Sequence, residues 1–146
     1  MELTIALIAL TLTGLTAGLF YAFSMSVMWG LNAIDPAQAG AAMVSINRKI
    51  LNPWLFITFM GSPVAALIAG IVAGSPAALW FYLAAGVNFA GSFLVTVAIN
   101  VPMNNALDQG KMSFAEYSPR WTAFNTLRTI ACVASTVLVG IGIAYL

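Results

Sequence analysis

Four long apolar runs, at about 3–29, 53–73, 77–101 and 120–145, divide the chain. Each is long enough to cross a bilayer as an α-helix, which takes about 20 apolar residues. Between them lie two polar connections, residues 32–52 and 104–119, and one uncharged turn, Gly74-Ser75-Pro76. The pattern predicts an all-α integral membrane protein. It is a four-helix transmembrane bundle over residues 1–146, one domain, with short amphipathic helices in the two polar connections. The first run opens on the acidic pair Met1-Glu2 and exceeds a signal-peptide core, so it reads as a retained span.

Within the runs, the polar and small positions have their own spacing. Thr4, Leu7, Thr11, Gly14, Gly18, Tyr21, Met25 and Met28 fall on one heptad seam, which predicts the packing face of the first span. Ser62, Ala66, Gly70 and Gly74 predict another in the second, with a kink at Pro63. Asn88, Ser92, Thr96 and Asn100 form a polar row on the third. An amide at that depth is costly in lipid, so Asn88 is expected to face protein or water, as interhelical glue or as a pocket wall. Pro102 is expected to break the helix after Asn100 and leave carbonyls near Ala98 without partners. On the fourth run, Trp121, Asn125, Arg128 and Cys132 share one face.

The connections carry helix signals. Asp35 before Pro36 reads as an N-cap and first helical residue. Ala39, Met43, Ile46 and Ile50 then recur at helical spacing, with Arg48 and Lys49 near the end. Asn47 lies beside that stripe, as an ordinary solvated amide or as part of a site wall. Ser113 and Glu116 form a capping box, read as a short turn before the last span.

Composition narrows the class. Charged residues make up 6% of the 146, hydrophobic residues 62%, and mean hydropathy is +0.98. Soluble domains carry roughly a quarter charged residues, so here lipid must cover most of the surface. A net charge of +1 without a basic run gives no sign of nucleic acid. The chain has no histidine, one cysteine and four acids. A dedicated zinc, copper, non-haem iron or His-ligated haem site within one chain is therefore not expected, nor is a Ser–His or Cys–His nucleophile. Arg48, Lys49, Lys111 and Arg120 all fall in or beside the two polar connections, which the positive-inside rule makes cytoplasmic, with the termini outside.

What remains is a set of polar side chains near one membrane face: Asn47, Asn100, Asn104, Asn125 and Arg128, with Trp121, Tyr21 and Met25 as walls. Arg128 lies roughly two turns inside its span and is the one charge that reads as buried. Such a cavity suits an apolar ligand with a few oxygens. Arg128 can stabilise a phenolate, enolate or carboxylate, and the amides can orient carbonyl oxygens.

Several segments together resemble the anthrone oxygenase-like family of small four-span membrane proteins. These are Gly14 to Ser24, Met43 with Ile46-Asn47, Asn100-Val101-Pro102-Met103-Asn104, and Trp121 with Asn125, Arg128 and Thr129. The resemblance implies oxidation of an anthrone-like aromatic by dioxygen without a cofactor. Arg128, Asn104, Asn100 and Asn125 would be the catalytic groups; Trp121, Asn47, Tyr21, Met25 and Asn88 would bind substrate. A bacterial inner membrane is the expected location. No base stands out beyond Tyr21 or a water held by the asparagines. Two other classes stay open on the residues: a binding or carrier protein for a quinone-like or lipid ligand, and a structural protein. The close-packing faces would also suit a homo-oligomer.

Overall fold

A computed structural model describes all 146 residues. Four helices are long and apolar enough to span a membrane: α1 (Glu2–Asn32), α3 (Pro53–Val72), α4 (Ala77–Asp108) and α5 (Phe114–Ala144). The connecting helix α2 (Pro36–Lys49) lies between α1 and α3. The four long helices form an antiparallel ring: α1 packs on α3 and α5, and α4 packs on the same two. α2 rests on the end of α1, the end of α4 and the start of α5, so it covers one end of the bundle.

Local chemistry sets the boundaries. Asp35 accepts from the backbone N–H groups of Ala37 and Gln38, and Pro36 follows as the first helical residue. Asn52 does the same for Trp54 and Leu55 ahead of Pro53. Ser113 and Glu116 make the reciprocal capping box, satisfying N–H groups that have no partner inside the helix. The box opens α5 itself and not a separate turn. Pro119 stays inside α5, and only residues 109–113 separate α4 from α5, so the second connection has no helix of its own.

The expected break at Pro102 does not occur. α4 runs on to Asp108, eight residues beyond Asn100. Upstream of the proline the winding is π-helical over Phe89–Leu94 and Thr96–Asn100. There Val101 donates to Thr96, five residues back. Longer hydrogen-bonded turns re-route the ladder around the missing proline donor. They also explain the polar row. Residues four apart drift about 40° per step around an α-helix. A wider turn reduces that drift and keeps Asn88, Ser92 and Asn100 buried against the bundle.

The packing face of α1 is not the predicted seam. Ala6, Ala9, Thr13, Thr16, Phe20 and Phe23 are buried, a 3–4–3–4–3 repeat. A π-helical segment at Phe23–Val27 then adds a residue, and the buried positions resume at Met28 and Leu31. Of the predicted seam only Met28 is buried; Gly14 and Gly18 have nothing within van der Waals reach of an added Cβ. Both faces of α1 are apolar, so periodicity alone could not choose between them. The true seam closes through threonines whose hydroxyls bond backbone carbonyls. Thr13 bonds Ala9, and Thr16 bonds Leu12 and, across the interface, Thr58.

In the half of the bundle that holds the turn, the predicted close packing on α3 is present. Ser62, Ala66 and Gly70 are buried, and the Tyr82 ring sits where a Gly70 side chain would be; Gly74 lies in the exposed turn. α3 stays helical through Pro63.

Candidate functional site

At the other end the helices do not close on one another. A cavity of about 260 Å³ lies among Leu19, Phe20 and Phe23 of α1, Val44, Asn47 and Arg48 of α2, and Leu55 and Phe59 of α3. Thr96, Val101, Asn104, Asn105 and Asp108 of α4 and Trp121 and Arg128 of α5 complete it, with Ile50 and Leu51 at the α2–α3 corner.

Arg128 is its most unusual group. It is 4% exposed, and no carboxylate pairs with it; the one salt bridge in the protein joins Arg48 to Asp108. Neutral oxygens hold it instead. Nη1 donates to Thr96 Oγ1 at 3.0 Å, and Nη2 donates to Asn125 Oδ1 at 2.8 Å. The guanidinium carbon lies 4.3 Å from the Phe20 ring centroid and 5.2 Å from that of Trp121. Cation–π contact of a desolvated cation contributes about 2 kcal/mol, far short of offsetting removal from water. Nε has no partner. The site thus holds a positive charge with spare donor capacity and no counter-charge.

Asn104 is aimed by its neighbours. Its Oδ1 accepts from Tyr117 Oη at 2.8 Å and from Trp121 Nε1 at 2.9 Å. Two donors fill that oxygen, so what the side chain can offer the cavity is its Nδ2 donor. Asn47 also lines the cavity, but its Nδ2 is buried away from it and has no hydrogen-bond partner. Arg128 and Asn104 therefore make the donor wall. Asp108 is the one carboxylate of the lining, at the mouth, where Arg48 Nη2 donates to it at 2.6 Å.

The other candidate residues lie elsewhere. Asn125 does not border the cavity. Its Nδ2 donates to the Phe20 carbonyl at 2.8 Å and to Ser24 Oγ at 2.7 Å, so it clamps α1 to α5 and orients Arg128. Asn100 is buried beside the site, reaching the Trp121 carbonyl at 3.5 Å and leaving its own Oδ1 without a partner. Asn88 sits deeper in the bundle, with Ser62 Oγ at 3.4 Å and Cys132 Sγ at 3.9 Å, the glue reading of that residue. Tyr21 and Met25 point outward, 54% and 53% exposed, because the α1 seam is rotated from the predicted one. The aromatic walls are Phe20, Phe23, Phe59 and Trp121, and Tyr21 does not border the cavity.

Thr96 as a partner of Arg128, Tyr117 as a support of Asn104, and Asp108 as a lining acid are not among the candidates that the sequence offers. Thr96 belonged to the polar row, which was signal enough. Asp108 falls in the polar connection 104–119, which a helix break at Pro102 would have separated from α4.

Fold and site together define an integral membrane four-helix bundle with an uncompensated buried arginine beside an amphipathic cavity. The anthrone oxygenase family model matches residues 52–138, more than half of the chain, and the chain belongs to that family. Neither the curated proteins nor the solved structures give a match.

Proposed function

We propose that the cavity binds an anthrone-like or similar flat aromatic substrate and promotes its oxidation by dioxygen without a cofactor. The unpaired, buried Arg128 carries this reading. Its charge is most strongly met when the ligand becomes an anion, and preorganised charge aimed at a developing oxyanion is an effective source of catalysis. Ligand cavities span roughly 300–1,000 Å³, and one of 260 Å³, just below that range, favours a compact molecule.

In the proposed reaction the substrate's methylene loses a proton and its carbonyl becomes an enolate, held by Arg128 with Asn104. The electron-rich carbon adds dioxygen and, with a proton returned, becomes a hydroperoxide. Loss of water turns that carbon into a second carbonyl. One oxygen atom stays in the product and the other leaves as water. A water held in the cavity takes the proton from the methylene and passes it out past Asp108 at the mouth, and the same path returns it. The basic residues gathered at the site end support an orientation with that end in the cytoplasm.

Purified protein in lipid vesicles, incubated in air with emodin anthrone, should form the anthraquinone faster than protein-free vesicles do. Tight binding with no acceleration would instead assign a carrier, and neither binding nor acceleration would remove this substrate class.

A further inference from the structure

The ligand's route into the cavity can be read from the unequal helix lengths. α3 has 20 residues and α4 has 32, and both start from the turn at residues 74–76. Counted from that turn, the first residue of α3, Pro53, lies level with about residue 96 of α4. Beyond that level α4 has no α3 beside it. Accordingly, α3 packs on Ala77–Asn88 and Phe89–Leu94, whereas α2 and α5 are the neighbours of the last part of α4. A gap remains, with Leu51 and Leu55 on one side and Val101 and Asn105 on the other, and all four line the cavity.

Two further observations set the depth of this gap in the membrane. Trp54, at the start of α3, and Trp29, near the end of α1, are 78% and 72% exposed at this end of the bundle. Exposed tryptophans there mark the boundary between headgroups and acyl chains. Above the gap, the exposed Arg48–Asp108 pair ties α2 to the end of α4 and narrows the water side.

We infer that the cavity opens sideways into the interfacial layer of the bilayer, between Leu51/Leu55 and Val101/Asn105, and takes an amphipathic aromatic ligand from the membrane and not from the aqueous phase. The ligand class rests on the proposed function; the route does not. An aromatic body with a few oxygens partitions into that layer, and it meets apolar rims before it meets Arg128.

The test uses the full chain in phosphatidylcholine vesicles, with Trp29, Trp54 and Trp80 replaced by Phe so that Trp121 alone reports. Phosphatidylcholine brominated high on the acyl chain should quench Trp121, aqueous acrylamide should not, and Val101→Phe should relieve the lipid quenching. Emodin partitioned into the same vesicles should quench Trp121 as it binds. Val101→Phe or Leu55→Phe should slow its association and dissociation together, on the order of tenfold, with a smaller change in Kd. Quenching by acrylamide and not by bromolipid overturns the route, as does an emodin association rate unchanged by both rim variants. If bromolipid reaches Trp121 but emodin neither binds nor forms from its anthrone, the portal stands and the anthrone reading falls.

Discussion

The two halves of this bundle are built from the same four helices but with different side chains. The buried cluster in the half that holds the turn has ten residues, eight of them alanine, with Phe81 and Val139. The buried cluster at the site end also has ten: Phe23, Met28, Leu31, Ala39, Met43, Met103, Leu107, Phe114, Tyr117 and Trp121. Lipid offers no hydrophobic drive between spans, so close approach depends on small residues. Alanine lets the helices meet in the first half. Aromatic and methionine side chains fill the second, and the π-helical segments Phe23–Val27 of α1 and Thr96–Asn100 of α4 lie in that second region. One half is therefore fitted for stability, and the other gives up close packing for a polar cavity.

The largest effect expected from this contrast is at Arg128. Arg128→Met removes a buried charge that has no counter-charge, which offsets the donors lost to Asn125 Oδ1 and Thr96 Oγ1, so the fold should lose no more than about 1–3 kcal/mol. Anthrone oxidation should fall by about 10²–10³, the loss typical of a removed oxyanion-stabilising donor. Thermal unfolding in detergent alongside initial rates checks both halves of this statement. A large drop in melting temperature would make Arg128 a structural residue and dissolve the division of labour. Arg128→Lys keeps the charge but cannot reach Thr96 and Asn125 with the same planar fork, so it should recover only part of the activity.

The opposite signature is expected in the close-packed half. Gly142 of α5 lies against the Phe81 ring, whose atoms come within 2.9 Å of an added Cβ. Gly142→Val should cost about 1–3 kcal/mol by overpacking. Activity per folded molecule should stay the same, because Gly142 lies in the half away from the cavity. Denaturation midpoints and rates normalised to folded protein separate the two.

These contrasts bear on how far the sequence was legible. The four spans, the turn, α2 with its cap, and the inward face of Trp121, Asn125, Arg128 and Cys132 could all be read from apolar length and residue spacing. Those features depend on local chemistry or on the high cost of a misplaced polar group. The seam of α1 could not be read, since two apolar faces compete and glycine spacing marks the one turned away from the bundle. Nor could the continuity of α4 through Pro102, since π-helical winding answers to tertiary packing. The site was half legible for the same reason. Arg128, Asn104, Asn47 and Trp121 line the cavity, Asn125, Asn100 and Asn88 pack around it, and Tyr21 and Met25 face outward.

A smaller effect tests how the open half is organised. Tyr117→Phe deletes one of the two donors to Asn104 Oδ1 while leaving the ring in its buried place. The net worth of one such bond is about 0.5–1.5 kcal/mol. Activity should fall by a few-fold to about tenfold, through poorer control of the Asn104 amide. Asn104→Asp should do more harm, because it replaces the donor that faces the cavity with an oxygen that repels an anion. If Tyr117→Phe and Asn104→Asp behave alike, the amide's orientation is not what matters.

The smallest effect on stability is expected at the Arg48–Asp108 pair. Both groups are substantially exposed, and such ion pairs contribute about 0–1 kcal/mol. Arg48→Gln should therefore shift the unfolding midpoint little, and raising the salt concentration should abolish even that difference. α2 would still be held by Ala39 and Met43 packed against Met103, Leu107 and Phe114, contacts that salt does not screen. Hydrogen exchange along α2 in Arg48→Gln, compared with the unmodified protein at low and high salt, checks this. Protection that collapses with the pair would mean that α2 is held by charge and not by its apolar stripe. The site end would then have no packed core of its own, and the contrast between a close-packed half and a differently packed half would become one between a folded half and a tethered lid.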